Sequence, residues 1–187
     1  MNGPGRRRPV VLVGLPGSGK TCVGERLAAR QGCPFIDTDR EVSASLGLTI
    51  ADIVAQWGWQ VFRREEEKAL AAALEQGAGV IASGGGCVES AVNRDALKLK
   101  RRAQVVWLCA EPRCLIGRLA ANAGERPLLQ ADPAHRLAEM QQRREPLYAG
   151  LAHYRVDTDD LDMDQVVERI ALILAANPDG DEHEAID

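Results

Sequence analysis

VVLVGLPGSGKTCVG, residues 10–24, decides the fold. The apolar run Val10 to Val13 reads as a fully buried strand. Gly14 to Thr21 then spell G-x-x-x-x-G-K-T, and a helix-forming run, Cys22 to Arg30, follows. Strand, glycine-rich loop and helix in that order form a phosphate-binding loop. The glycines let backbone N–H groups converge on phosphate oxygens, and the helix beginning near Gly19 aims its positive dipole end at the same anion. Lys20 supplies a point charge for the β- and γ-phosphates, and Thr21 a hydroxyl for Mg²⁺. The nucleotide-contacting positions are Gly17, Ser18, Gly19, Lys20, Thr21 and Cys22.

Outward from this loop, strands alternate with helices. Phe35-Ile36 is a second strand that ends in Asp37-Thr38-Asp39, and a helical segment then runs to a stop at Gly47. Thr49-Ile50-Ala51-Asp52 opens a short helix as a capping box with Asp in place of Glu. Another helix spans Trp59 to Gln76. Val80-Ile81-Ala82 is strand three and runs into Ser83-Gly84-Gly85-Gly86. Ser90 caps a helix to about Lys98, Gln104 to Leu108 is strand four, and Pro112 opens a further helix. Residues 120–132 lack periodicity and read as a mobile lid. Asp132-Pro133 caps a helix through Arg144 that Pro146 bends or ends, and Tyr154-Arg155-Val156 is strand five. Residues 163–176 close the fold with an amphipathic helix. The alternation implies one α/β domain, 10–176, with a parallel sheet covered by helices on both faces. Ligands then gather at the strands' carboxyl ends. A loose terminus, 1–9, and an acidic tail, 177–187, flank it.

Composition narrows the function. The 187 residues suffice for one domain with a real core, and a net charge of −4 argues against a broad nucleic-acid surface. Only 4% of residues are aromatic, too few for base-stacking platforms. The five cysteines, Cys22, Cys33, Cys87, Cys109 and Cys114, form no C-x-x-C pair and are odd in number. They predict neither a disulfide framework nor a zinc site, and a reducing, cytoplasmic setting; Cys87 and Cys109 read as buried packing residues. The apolar run at 10–13 is too short for a signal peptide or membrane span. His135, His153 and His183 show no metal spacing and read as surface or tail residues.

Several residues outside the loop can carry chemistry. Asp37 and Asp39 stand two apart at a strand end, where one can serve Mg²⁺ and the other an acceptor hydroxyl; Asp39 could instead cap the next helix. Strand three ends in Ser83 without an aspartate, so the usual acid for Mg²⁺ is missing there and Asp37 is the best substitute. Arg63 can pair with Glu66 or Glu67 on its helix, either as a solvated face or as a guanidinium held for an anionic substrate. Gly84-Gly85-Gly86 permit close approach of backbone to a ligand. Arg126, in the lid, can neutralise charge on a transferred phosphoryl group. Arg143 and Arg144 could simply complement a helix C-terminus.

In order, GLPGSGKT, DTD, FRRxE, GGG, RPLL, RxPLY and RVDT cover roughly residues 9–175. This set resembles the shikimate kinase family. The resemblance implies a P-loop NTPase of the nucleoside-monophosphate-kinase-like fold, with five parallel strands ordered 2-3-1-4-5. It implies transfer of the ATP γ-phosphate to the 3-hydroxyl of shikimate, a step of chorismate and aromatic amino-acid synthesis. It implies that Lys20 and Thr21 bind phosphates and Mg²⁺ with Asp37 assisting the metal, and that Asp39 binds the shikimate hydroxyls and accepts the proton. Arg63 and Arg144 clamp the shikimate carboxylate, the backbone of Gly84 to Gly86 lines its site, Arg126 closes over the phosphates and Arg118 lies near the adenine. The expected protein is a cytoplasmic monomer using ATP and Mg²⁺, without nucleic-acid or membrane partners. The alternatives are a gluconate-type kinase of the same fold and a nucleotide-binding regulatory module without phosphotransfer. Trp57-Gly58-Trp59 is a peculiarity that either packs over the substrate or covers the core.

Overall fold

A computed structural model describes residues 8–77, 79–99, 103–121 and 132–177. Five strands, β1 (Val10–Val13), β2 (Phe35–Asp37), β3 (Val80–Ala82), β4 (Gln104–Cys109) and β5 (Tyr154–Asp157), form one sheet in the order β2-β3-β1-β4-β5. Every pairing is parallel; Val11 sits opposite Ile81 on one side and Val105 on the other. The expected fold class and strand order hold.

Parallel strands need crossovers, and the crossovers cover both faces. Alternate residues of β1 divide between two cores. Val11 and Val13 join Ile81, Val105 and Trp107 in the larger core, and Val10 and Leu12 join Val106, Leu108, Tyr154 and Val156 in the other. Helix α1 (Lys20–Gln31) contributes Val23 and Leu27 to the second core, and α7 (Met163–Ala176) contributes Val166, Val167, Ile170, Ile173 and Leu174. The first core takes Leu70 and Leu74 from α3 (Ile50–Gln76), Leu97 from α4 (Ala91–Lys98), Leu115 from α5 (Pro112–Ala121), and Leu137, Met140 and Tyr148 from α6 (Pro133–Ala149). A small third cluster, Val42, Ile53 and Phe62, joins α2 (Thr38–Leu46) to α3.

α3 breaks at Gly58 (φ 80°, ψ 168°), so the two expected helices meet there with little between them. α6 continues past Arg144 and carries Pro146 inside it. Asp162 and Gln165 make a reciprocal capping box at the start of α7.

The sheet holds the residues that border the two expected loose ends. Pro9 is buried, and its carbonyl accepts the N–H of Gln104 at 2.8 Å. Asn177 is anchored as well, because its carbonyl accepts from Gln104 Nε2 (3.0 Å) and Tyr154 Oη (3.2 Å). His153 is no idle surface residue. Its N–H donates to the Val105 carbonyl at 2.9 Å and its Nδ1 accepts from the Val105 N–H at 3.0 Å, which extends the β4–β5 pairing by one residue. Cys109 is only half-buried, whereas Cys87 is fully enclosed. Burial pushes the Cys87 thiol up to about 12. No described helix is long and apolar enough to cross a membrane. Most of the expected lid, residues 122–131, with Arg126 in it, lies outside the described residues, as do most of the flanking tails and His183.

Candidate functional site

The phosphate loop sits between β1 and α1 at the carboxyl edge of the sheet. Gly14 turns at φ 147°, and a Cβ there would strike the Leu108 carbonyl and the Ser18 hydroxyl, so only glycine passes between them. The N-cap of α1 is Gly19, which offers no side-chain cap to the helix's first turn, and the N-terminal end of the helix faces the loop with its positive dipole end. Lys20 is buried, with Nζ 2.9 Å from the carbonyls of Gly14 and Leu15. Its ammonium is thereby held over the loop that should receive phosphate.

Asp37 ends β2 beside this loop. Its Oδ1 accepts the N–H groups of Asp39 (3.0 Å) and Arg40 (3.2 Å). Its Oδ2 accepts the Thr21 hydroxyl at 2.7 Å. Helix capping therefore falls to Asp37, and Asp39 is the second residue of α2. The extended geometry expected for the pair gives way to a helix start, which turns Asp39 away from the loop and toward Gly84. The Thr21–Asp37 pair offers hard oxygen donors from one hydroxyl and one carboxylate. That donor set fits Mg²⁺, which takes few protein ligands alongside phosphate oxygens.

A second nest of charges lies under Gly84 to Gly86. Thr38, fully buried, accepts the Gly84 N–H at 3.0 Å. A Cβ on Gly84 would collide with the Glu66 carboxylate and stand 2.5 Å from Asp39 Oδ1; one on Gly86 would run into the Arg63 guanidinium. These glycines are close-approach residues, and what approaches is the protein's own charged cluster. Arg63 donates from Nη1 to Glu66 Oε2 at 2.7 Å. Its guanidinium also lies 5.4 Å from the Trp59 ring centre and 5.3 Å from that of Phe62. Trp59 is thus a neighbour of the arginine, while Trp57 is 46% exposed.

Glu66 is fully buried, and burial pushes its carboxyl up to about 7, with Arg63 opposing and Asp39 reinforcing the rise. Arg144 is 5% exposed, so the helix-end reading of that residue fails. It reaches across from α6 and donates from Nη2 to Glu89 Oε2 at 3.1 Å. The same oxygen receives Arg63 Nη2 at 3.5 Å. Glu89 belongs to a short 3₁₀ turn, Cys87–Glu89, directly after the glycines. Burial alone would raise its carboxyl, but the hydrogen bond and charge of Arg144, joined by Arg143 and Arg63, outweigh it and hold Glu89 below the usual carboxylate range. Tyr148 donates its hydroxyl to the Gly85 carbonyl and pins the glycine run from α6.

Arg118 lies on α5 and donates to the Thr158 hydroxyl (2.9 Å) and carbonyl (2.6 Å). With Gly19, Val23, Thr158, Met163 and Val166 it lines a cavity of about 220 Å³ next to the phosphate loop. A slot of mixed polar and apolar lining beside a phosphate cradle suits a nucleoside, which has both an apolar ring face and polar edges.

The structure therefore brings together the loop, Asp37, Asp39, Arg63, Gly84 to Gly86 and Arg144 at one edge, with Arg118 on the far side of the loop. Glu89 stands in no motif of the sequence, and Tyr148 stands in the RxPLY run without a role assigned to it. The packing of α6 on the 3₁₀ turn brings both to the site.

The family model described as Shikimate kinase matches residues 16–175. A shikimate kinase of Symbiobacterium thermophilum is 47% identical over 163 residues, covering 86% of this chain and 92% of the relative. One of Frankia casuarinae is 44% identical, covering 88% of this chain and 72% of the relative. The solved structure of shikimate kinase from Acinetobacter baumannii in complex with shikimate superposes with a TM-score of 0.86 at 34% identity, covering 91% of this chain and 94% of that one.

Proposed function

The chain belongs to the shikimate kinase family, and from that premise we propose how its residues divide the transfer of the ATP γ-phosphoryl group to the 3-hydroxyl of shikimate. The backbone N–H groups of Gly17 to Cys22 and the Lys20 ammonium bind the phosphates. Thr21 and Asp37 would hold Mg²⁺, which would supply charge neutralisation to the nucleotide phosphates. Arg118 lines the nucleoside slot. Asp39 orients the shikimate hydroxyls and receives the proton that the attacking hydroxyl loses. Arg63 and Arg144 bind the shikimate carboxylate, and the Gly84 to Gly86 backbone lets the ring lie close. Arg126, outside the described residues, is assigned to charge neutralisation on the sequence pattern alone.

One observation carries this reading. Two guanidiniums from different helices, Arg63 of α3 and Arg144 of α6, already converge on a single carboxylate oxygen next to Asp39 and the glycine run. That is a site for a small anionic alcohol: two cations for its carboxylate and one aspartate for its hydroxyls. Each charge-assisted bond is worth about 1.5–3 kcal/mol.

The test is coupled ADP release by the purified protein with Mg-ATP and shikimate, gluconate or no acceptor. Release that requires shikimate is expected. Release with gluconate alone, or no acceptor-dependent release, would overturn the assignment.

A further inference from the structure

The carboxylate between the two arginines is the protein's own. Glu89 Oε2 takes Arg144 Nη2 at 3.1 Å and Arg63 Nη2 at 3.5 Å, and its Oε1 takes Arg143 Nε at 2.8 Å. Three cations thus surround one carboxylate whose side chain is 27% exposed.

Its hold on the two inner arginines is incomplete. The contact with Arg63 lies at the long limit of a hydrogen bond. The Nε of buried Arg144 has no hydrogen-bond partner among the described residues. A carboxylate meeting an arginine side-on takes two parallel N–H donors. Glu89 takes Nη2 and leaves Nε unused. An incoming carboxylate that accepts from both makes a bond that Glu89 does not. Arg63 keeps its place meanwhile, because Glu66 grips it at 2.7 Å from the other side.

The outer contact is the firm one. Arg143 is 62% exposed and meets Glu89 at 2.8 Å, so a glutamate that turns outward keeps a partner and gains solvent. A negative charge left beside a bound carboxylate would repel it.

We propose that Glu89 is a resident stand-in for the substrate carboxylate: it keeps Arg63 and Arg144 converged in the empty site, yields them to shikimate, and stays tethered to Arg143. Glu89 then sets substrate affinity by competing for the clamp, and Arg143 sets how easily it leaves. This rests on the assignment of Arg63 and Arg144 as the carboxylate clamp.

The experiment compares steady-state kinetics and shikimate titration calorimetry for the parent and three variants. Glu89→Gln keeps an acceptor for Arg144 but removes the competing charge. The KM and Kd for shikimate are expected to fall about three- to tenfold, with kcat and the KM for ATP within twofold. Arg143→Gln removes the outward tether, so the KM for shikimate is expected to rise by a similar factor. The opposite signs are the signature, because a glutamate that merely scaffolds the arginines would raise KM in both variants. An unchanged or raised KM in Glu89→Gln overturns the proposal. Should that variant fail to fold, Glu89→Asp takes its place: the shorter carboxylate keeps the charge but withdraws from Arg144, so the KM for shikimate is expected to fall, whereas a scaffolding glutamate would raise it, and an unchanged or raised KM overturns the proposal. Arg144→Lys separates the underlying reading. A raised KM for shikimate with an unchanged KM for ATP upholds the clamp whatever Glu89 does, and no change in shikimate KM removes the clamp itself.

Discussion

Asp37→Asn separates two roles that the structure superimposes on one side chain. Asp37 caps α2 through Oδ1, which accepts from the N–H groups of Asp39 and Arg40, and accepts the Thr21 hydroxyl through Oδ2. Asparagine keeps the capping oxygen. Its Nδ2 replaces Oδ2 and donates to Thr21 Oγ1, with the hydroxyl reversed, so the number of hydrogen bonds is conserved. Asn and Asp cap almost equally well, and the lost charge at the helix N-terminus is worth about 0.3–1 kcal/mol, so stability should fall by about 1 kcal/mol or less. Asp37→Ala loses the cap and the Thr21 bond together and should cost about 2–3 kcal/mol. The metal responds differently. Asparagine directs an N–H donor at the place where a carboxylate oxygen would face Mg²⁺ or its water. Loss of one charge-assisted contact, about 1.5–3 kcal/mol, raises the half-saturating Mg²⁺ concentration roughly ten- to a hundredfold. Coupled ADP release measured across Mg²⁺ at fixed ATP, together with chemical denaturation, reads both quantities. Parental Mg²⁺ dependence in Asp37→Asn would reduce Asp37 to a helix cap and refute the metal role. An Asn variant as unstable as the Ala variant would refute the conserved-bond argument.

Three further outcomes are expected. Gly84→Ala puts a methyl group against Glu66 and Asp39, so shikimate-dependent turnover should fall at least tenfold at a stability loss of about 1–3 kcal/mol, with the KM for ATP within twofold; near-parental turnover would mean that the carboxylates can give way. Glu66 titrates near 7 when folded against an ordinary 4.5, so between those pH values the native state holds a proton that the unfolded chain has released. Its contribution to stability therefore falls as pH rises through that window, by about 3 kcal/mol in all, and is flat above it. Glu66→Gln cannot titrate, and its denaturation free energy should gain on the parent by that amount between pH 4.5 and 8; parallel curves would refute the shift. Arg118→Ala removes both bonds to Thr158 beside the nucleoside slot and should raise the KM for ATP roughly three- to thirtyfold while leaving that for shikimate within twofold. Equal changes in both constants would place Arg118 in general packing.

Local physics made much of this legible. The phosphate loop shows in the sequence because glycines at fixed offsets are demanded by backbone positions such as Gly14, where no side chain fits. The sheet shows because strands buried on both faces read as continuous apolar runs, and the short β2 was still marked by its terminal Asp37-Thr38-Asp39. Where two residues can take one local role, pattern alone leaves the choice open. Capping was offered to Asp39, but the chain leaves β2 so that Asp37 takes it, and the difference of two residues decides which carboxylate faces Thr21 and which faces Gly84. Arg144 was harder still. An arginine near the expected end of a helix looks like a dipole partner until α6 is seen to run on to Ala149 and to pack on the 3₁₀ turn.

The charges at the substrate edge follow from a constraint that no single motif states. Arg63 and Arg144 have to be largely buried to bind a small carboxylate tightly, because an exposed ion pair is worth little. Yet buried guanidiniums without counter-charges would destabilise the empty protein. Glu66 meets that need for Arg63 from beneath, at a depth where its own charge is so poorly solvated that it titrates near 7. Glu89 meets it for Arg144 from the solvent side, where a carboxylate can move. The two glutamates therefore differ in kind. Glu66 fixes an arginine and stays, whereas a counter-charge placed where the substrate must bind has to be one that can leave. That requirement explains why the partner of Arg144 sits on a three-residue turn with a second arginine outside it.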